Sequence, residues 1–257
     1  MTVRRYKKRE RREQILLELK LKPHVRVSDL AKQYGVTTET VRRDIEDLGR
    51  EGLLQRAHGG ASAPHPGVPR DLDARRNERV AERERLGRFA ASLVRDGDAI
   101  MVDAGSTTME FARFLAFAET RVRVITNSLQ VAMILGQSPH ARVCLAPGEY
   151  LPREAAVIGT ETCNHLAGYN VDTCFIGASG LSEVGVTEAI EGFGAVKRTM
   201  MRQSQARRFL IDASKFGQTH LTRVASLDEI ETLISDHPPT GPLAGALQDH
   251  GIQILVP

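Results

Sequence analysis

Hydrophobic positions in the first sixty residues follow a helical period. Ile15, Leu16 and Leu19 recur at spacings of one, three and four, which places them on one face of a helix running from about Glu10 to Leu21. Pro23 stops that helix. Val25 and Val27 read as a short extended stretch, and a second helix opens near Ser28 with Leu30, Ala31 and Tyr34 on its apolar face. Gly35 closes it, because a glycine can adopt the left-handed conformation that ends helices. Val36 is the apolar residue of the turn, and Thr37 is placed to cap a third helix. There Val41, Ile45 and Leu48 sit four and three apart and point inward, leaving Thr38, Glu39, Arg42, Arg43 and Glu46 to face away. After residues 49–52, Leu53 to Arg56 reads as a short strand, and His58-Gly59-Gly60 as a turn suited to a wing.

The pattern then changes. Residues 62–69 hold three prolines and one glycine, the composition of an extended connection. A charged stretch, 71–85, leads into a helix with Leu86, Phe89, Ala90, Leu93 and Val94 on its buried side. Beyond it, β-rich runs at 99–102, 122–125, 142–145, 174–176, 208–211, 232–234 and 253–256 alternate with helix-length segments near 107–117, 129–135, 193–204 and 243–250. Such alternation predicts an α/β body, Rossmann-like, with a largely parallel sheet. The expected domains are 1–61, an all-α head with a wing; 62–76, a linker; and 77–257, the body.

Composition changes this picture in one respect. At 257 residues, 41% hydrophobic and 26% charged, the chain suits a globular protein of two domains. Residues 1–60 hold fifteen Lys+Arg against nine Asp+Glu, a net of +6, whereas the remainder carries −3 of the total +3. A basic head on a slightly acidic body points to a polyanion-binding head and a body with another task. A solvated basic tail would account for Arg4 to Arg12 but not for the patterned residues after them. No apolar run approaches the ~18 residues of a membrane span, and the charged start has no apolar core behind it, so a cytoplasmic protein is expected. Cys144, Cys163 and Cys174 are scattered, without a C-x-x-C pair or clustered histidines. They imply neither disulfides, nor a metal, nor a cofactor, and read as buried apolar fillers.

Three short helices with a tight turn before the third form the geometry that sets a recognition helix in the DNA major groove. Arg42 and Arg43 lie about 100° apart around that helix, so one can address a base edge and the other a phosphate; the residues do not say which. Thr38 and Thr40 can meet a phosphate or a thymine methyl. On an isolated helix the same arginines would be a solvated face. The run Val36-Thr-Thr-Glu-Thr-Val-Arg-Arg-Asp-Ile45, with Leu48, Gly52-Leu-Leu-Gln-Arg56 and His58-Gly-Gly-Ala61, resembles the winged helix-turn-helix of DeoR-type repressors. The DNA-binding candidates are therefore Thr37, Thr38, Thr40, Arg42, Arg43, Arg56 and His58.

In the body, the informative residues follow the strands. Asp103-Ala-Gly-Ser-Thr-Thr108, Thr126-Asn-Ser128, Gly177-Ala-Ser-Gly180 and Asp212-Ala-Ser-Lys215 each succeed a strand candidate. In an open parallel sheet ligands bind at those ends. Gly105 admits close backbone approach, and Ser106, Thr107 and Thr108 add hydroxyls beside free N–H groups at a helix start, a cradle for phosphate. Any one of these loops is an ordinary cap or turn; their recurrence argues for a pocket. Lys197 and Lys215 are candidate phosphate- or Schiff-base-type cations, or else surface lysines. These loops, with Val-Lys-Arg198 and Asp-Ala-Ser-Lys-Phe-Gly217, resemble the effector domain of the same family, which is similar in fold to ribose-5-phosphate isomerase and the coenzyme A transferases. The resemblance implies a repressor released from its operator by a phosphorylated sugar. It carries over Asp103, Gly105, Ser106, Thr107, Thr108, Thr126, Asn127, Ser128, Gly177, Ser179, Gly180, Lys197 and Lys215.

The chain departs from the family pattern twice. Pro147-Gly148 stands where a Gly-Gly pair is usual, and Phe193-Gly194 where an acidic residue and Ala usually precede Val-Lys-Arg. The second departure is expected to remove a carboxylate from the neighbourhood of Lys197. Expected partners are duplex operator DNA, a phosphorylated sugar, and further copies of the chain as a dimer or tetramer, since one head covers too little DNA for tight binding. Two other readings use the same residues. One is a sugar-phosphate isomerase in which Asp103, Asp212 and Glu188 move protons beside Lys215. The other is a constitutive DNA-binding protein whose body only oligomerises.

Overall fold

A computed structural model describes residues 7–21, 24–50, 54–57, 59–62, 72, 75 and 79–257. The chain divides into two compact units, Met1–Val68 and Pro69–Pro257. The proline-rich stretch 63–70 and His58 lie outside the described residues, as does most of 71–78.

The first unit comprises α1 (Lys8–Leu21), β1 (His24–Arg26), α2 (Val27–Tyr34), α3 (Thr38–Arg50), β2 (Gln55–Ala57) and β3 (Gly60–Ser62). Its strands form an antiparallel sheet in the order β1-β3-β2. Ile15, Leu19, Leu30, Ala31, Tyr34, Val41, Ile45 and Leu48 are buried together with Val25, Leu54 and Ala61, so the period-3.6 positions do form the core. Val27 is not extended: it opens α2, its side chain enters the core and its N–H donates to the Gly59 carbonyl at 2.9 Å. Gly35 ends α2 with φ 62°. Gly60 has no room for a side chain, because a Cβ there would meet the Val25 carbonyl oxygen at 1.9 Å.

The second unit is built on a seven-stranded sheet in the order β15-β14-β12-β9-β4-β5-β6. These strands are β4 (Ala99–Val102), β5 (Val122–Thr126), β6 (Ala141–Leu145), β9 (Val171–Ile176), β12 (Ser204–Leu210), β14 (Thr232–Ile234) and β15 (Gln253–Leu255), and every pairing is parallel. The helices are α4 (Val80–Ser92), α5 (Ser106–Phe117), α6 (Leu129–Leu135), α7 (Thr160–Ala167), α8 (Phe193–Arg202) and α9 (Gly241–Asp249). Successive strand residues serve opposite layers, as a two-residue side-chain period requires. Ile100, Val102 and Phe175 pack with Leu86, Phe111 and Leu135, while Met101, Cys174 and Ile176 pack with Leu166, Val196, Met200 and Leu247.

Short elements absent from the sequence expectation complete the unit. A hairpin pairs β7 (Glu149–Leu151) with β8 (Ala156–Ile158), and β10 (Gly180–Ser182), β11 (Gly185–Glu188) and β13 (Thr222–Ala225) form a small antiparallel sheet. Of the cysteines, Cys174 is buried, but Cys144 and Cys163 are half-buried, and Cys144 Sγ lies 3.4 Å from His165 Nε2. Cys144 thus packs against the core and also makes a polar contact.

Candidate functional site

The first unit presents α3 as its charged face. Thr38, Arg42 and Arg43 are exposed and Thr40 is half-buried. Thr37 caps the helix, its Oγ1 accepting the Thr40 N–H at 3.2 Å and lying 2.9 Å from Thr40 Oγ1. Both hydroxyls are therefore engaged in the cap. Replacing Thr37 by Ala should lower the stability of this unit by about 1 kcal/mol, measured by chemical unfolding; an unchanged midpoint would show the cap to be idle. Arg42 and Arg43 share one acidic neighbour, Glu39, at 3.9 and 3.5 Å. Exposed pairs of this kind are weak and easily exchanged for a stronger anion. The backbone of Arg56 lies in β2, and nothing is described of its side chain.

Asp44, third in the Arg-Arg-Asp run, has a different task. It is buried and ion-paired with Arg11 of α1, which is itself only 7% exposed. A buried carboxylate needs such a partner, so Asp44 anchors the recognition helix to α1. Lys8 and Arg12 likewise reach Asp47, each at 3.0 Å. Part of the basic N-terminal segment is thus structural. The signal was available: Asp44 lies three after Val41 and four before Leu48, on the inward face.

In the second unit the strand order brings the loops together. Strands β12, β9, β4 and β5 are consecutive in the sheet, so 212–215, 177–180, 103–108 and 126–128 leave its C-terminal edge side by side. Asp103 and Lys197 link two of them. Asp103 Oδ1 accepts the Ala104 N–H at 2.6 Å and Oδ2 the Gly177 N–H at 3.1 Å. Lys197 Nζ lies 3.0 Å from Asp103 Oδ2, donates to the Gly177 carbonyl at 2.8 Å, and meets Glu188 Oε2 at 2.5 Å. Glu188 also accepts from the Ala189 N–H at 2.9 Å and from Ser179 Oγ. His220 Nε2 lies 3.1 Å from the Ser179 carbonyl oxygen.

Lys197 is 2% exposed and balanced by carboxylates on both sides. The expected loss of acidic company at Phe193-Gly194 is therefore corrected: Asp103 and Glu188 supply it from elsewhere in the chain. The Phe193 ring centroid lies 5.9 Å from Lys197 Nζ, and the ring packs against Ala104 and Ala156. Gly194 is required by close packing, since a Cβ there would meet the Thr222 methyl at 2.3 Å. At the other departure, Thr162 Oγ1 donates to the Pro147 carbonyl at 2.7 Å, and a Cβ on Gly148 would meet that same hydroxyl at 2.0 Å.

One lysine between two buried acids divides their titration. Burial raises the Asp103 carboxyl to about 6, with Lys197 opposing and Glu188 adding to the rise. Burial also acts to raise Glu188, but the Lys197 charge and the hydrogen bonds from Lys197, Ser179 and Ala189 outweigh it and hold Glu188 at about 2. The Lys197 ammonium is held above its ordinary value because the two carboxylates outweigh its own desolvation.

The remaining candidates fall into two groups. Thr126 Oγ1 donates to the Val102 carbonyl at 2.6 Å and accepts the Ser128 N–H at 3.0 Å; Ser128 Oγ caps α6 by accepting the Val131 N–H at 3.2 Å; Thr108 Oγ1 donates to the Gly105 carbonyl at 3.1 Å. These hydroxyls shape the loops. Gly180 is also a packing residue, as the Gln218 carbonyl oxygen would lie 2.3 Å from a Cβ there. The other candidates are not engaged in this way. Gly105, the N-cap of α5, provides no side-chain cap to the first turn, where Ser106 and Thr107 carry the next hydroxyls. Asn127 donates to the Val157 carbonyl at 3.0 Å, yet its buried Oδ1 has no hydrogen-bond partner among the described residues. Lys215 is half-buried, in a turn that Asp212 caps by accepting the Ser214 N–H at 3.1 Å.

Residues 11–66 match the DeoR-like helix-turn-helix domain, and residues 78–237 match the DeoR C-terminal sensor domain. The chain is 33% identical to the HTH-type transcriptional repressor GlcR of Bacillus subtilis, over 92% of each chain. It is 28% identical to the glycerol-3-phosphate regulon repressor of Escherichia coli, over 96% of this chain and 98% of that one. Among solved structures, ribose 5-phosphate isomerase A of Methanocaldococcus jannaschii aligns over 52% of this chain and 53% of its own, with a TM-score of 0.40 and 22% identity. The chain belongs to the DeoR family of helix-turn-helix transcriptional regulators. It is a DNA-binding regulator with a sensor domain and not an enzyme. No helix among the described residues is long and apolar enough to cross a membrane.

Proposed function

We propose that the chain represses a carbohydrate-metabolism operon in the cytoplasm and releases its operator when a phosphorylated sugar occupies the C-terminal sensor. Residues 1–61 read the operator as paired heads of a dimer or tetramer, with Thr38, Arg42, Arg43, Arg56 and His58 contacting DNA. Residues 62–76 connect, and 77–257 sense and oligomerise. The observation that carries the sensor reading is the uncapped first turn of α5 beside the Asp103 and Asn127 loops. Three N–H groups and two hydroxyls there form an anion site. In this reading Lys197 is a positioning residue: its charge is already spent on Asp103 and Glu188, and it holds the 103–108 and 177–180 loops in register. Lys215, on the 212–215 turn, is the candidate cation for the phosphate. The relatives' names agree in kind, one repressing a glycerol-3-phosphate regulon and another, of Lactococcus lactis, a lactose phosphotransferase system.

Fluorescence anisotropy on the chain's own upstream DNA, against sugar phosphates and their unphosphorylated counterparts, tests this. One phosphorylated sugar should weaken binding by about 5- to 150-fold, the usual range of allosteric coupling. Thr107→Ala or Lys215→Ala should abolish that response and leave DNA affinity intact. If no compound on a broad panel shifts affinity, the body is an oligomerisation scaffold and the phosphate cradle is wrong.

A further inference from the structure

The three cysteines of the body lie in three different surroundings, and one of them carries chemistry that the sites above do not use. Cys174 is fully buried, and burial pushes its thiol up to about 11, so it stays protonated and inert. Cys163 is half-buried on α7 and packs against the core. Cys144 is also half-buried, on the edge strand β6. Its Sγ lies 3.4 Å from His165 Nε2 and 3.6 Å from the Tyr169 hydroxyl.

The end of α7 brings both rings to the sulfur. His165 and Tyr169 are four residues apart, and the Tyr169 N–H donates to the Leu166 carbonyl at 3.2 Å, which continues the turn beyond the helix. The two ring centroids are 5.2 Å apart. His165 stands in the last turn of α7, where the helix dipole favours a positive charge. The hydrogen bond to Cys144 is the largest cause holding the Tyr169 phenol above its ordinary value, so the phenol keeps its proton and can donate it to the sulfur. With its own proton on Nδ1, His165 can accept from the thiol at Nε2. Two exposed cations share this face of the sheet. Arg142 lies two residues before Cys144 on β6, and Arg123 is its register partner on β5. The sulfur therefore has a base, a hydrogen-bond donor and a positively charged face of the sheet, the surroundings that separate reactive thiols from structural ones.

We propose that Cys144 is a modification site: a nucleophilic thiol, with His165 as its base, that a hydroperoxide oxidises to the sulfenic acid. The sulfur attacks one peroxide oxygen with a lone pair, so that an S–O bond forms as the O–O bond breaks. Sulfur loses two electrons and the peroxide gains them. The thiol proton passes to His165 Nε2 and from there to the departing hydroxide, which leaves as water; the transferred hydroxyl keeps its own proton. A peroxide suits these groups because its leaving oxygen needs a proton, and because a half-buried sulfur favours a small reagent. Nothing in this chemistry depends on what the sensor binds.

The reduced full chain, treated with hydrogen peroxide in the presence of dimedone and followed by mass spectrometry at each cysteine, tests it. Cys144 should acquire the dimedone adduct about a hundredfold faster than Cys163, the difference that a positioned base makes. Cys174 should stay unmodified. In urea all three should react at similar rates, because the arrangement is lost. His165→Gln should slow Cys144 by about a hundredfold and leave Cys163 unchanged. Tyr169→Phe, which keeps the ring, should slow Cys144 by about fivefold, the weight of one hydrogen bond. A merely structural histidine would lower the melting temperature on replacement and leave the ratio of the two rates as it was. Equal rates at Cys144 and Cys163 in the folded chain overturn the proposal, as does an undiminished Cys144 rate in His165→Gln. The comparison among the three cysteines needs no variant, so it decides the matter even if His165→Gln does not fold. Rapid alkylation of Cys144 by iodoacetamide without any dimedone adduct under peroxide also overturns it, since the thiol would then be nucleophilic but not a peroxide site.

Discussion

Lys197→Met should destabilise the second unit by about 3–5 kcal/mol, because it leaves Asp103 and Glu188 buried without their cation. For a unit of this size that corresponds to a fall of roughly 10 °C in the melting temperature at neutral pH. The pH dependence identifies the cause. In the parent protein Asp103 titrates at about 6 when folded, above its ordinary 3.8, so the folded form takes up the proton first and this group adds stability as pH falls through that window. Glu188 has the opposite sign: held at about 2 against an ordinary 4.5, its contribution is complete above that value and is lost as pH falls towards 2. Without Lys197 burial raises both carboxyls, with the Glu188 charge adding to the rise at Asp103, and both favour the fold on acidification. The difference in melting temperature between Lys197→Met and the parent should therefore shrink between pH 7.5 and pH 5, in calorimetry of the full chain. A difference of the same size at both pH values would mean that lost packing, and not two stranded carboxylates, explains the variant.

Arg42→Ala and Arg43→Ala should each weaken operator binding by about 1–3 kcal/mol, and together reduce it towards non-specific affinity. Both side chains are exposed and, among the described residues, pair with Glu39, so neither change should unfold the head. Salt titration separates their roles. The arginine on a phosphate contributes to counterion release, and its loss lowers the slope of log affinity against log salt by about 1 for all sequences. Loss of the arginine on a base edge keeps the slope nearer the parent's and relaxes discrimination at one operator position. Anisotropy with the chain's upstream DNA and single-base variants at several salt concentrations distinguishes them. Retention of parental affinity by both variants would remove α3 as the reading element.

Much of this architecture was legible locally. A helix with Val41, Ile45 and Leu48 at spacings of four and three has one way to hide them, so Arg42 and Arg43 face outward whatever else the chain does. Likewise, residues 99–102 and 129–135 lie where their β-branched and helical patterns put them. The loops after the strands were readable as loops. Their usefulness as one site was not, because adjacency depends on sheet order. Residues 103–108 and 177–180 are neighbours only because β4 lies beside β9, a pairing of residues some seventy apart.

The division of labour among the site residues belonged wholly to the tertiary level. From sequence, Lys197 and Lys215 were equivalent cations, and Thr107 and Thr126 equivalent hydroxyls. Burial makes Lys197 the internal counter-charge of Asp103 and Glu188, and a carbonyl 2.6 Å away occupies Thr126. Arg11 and Asp44 tell the same story in the head, where a residue of an apparent basic tail proves to be the buried partner of the recognition helix. Amino-acid order by itself determined the helical and strand periods, the basic head and the family, because each is a property of nearby residues. Which charges are buried and which of them meet were decided only by the fold, because pairing energies depend on distance and dielectric between residues far apart in the chain.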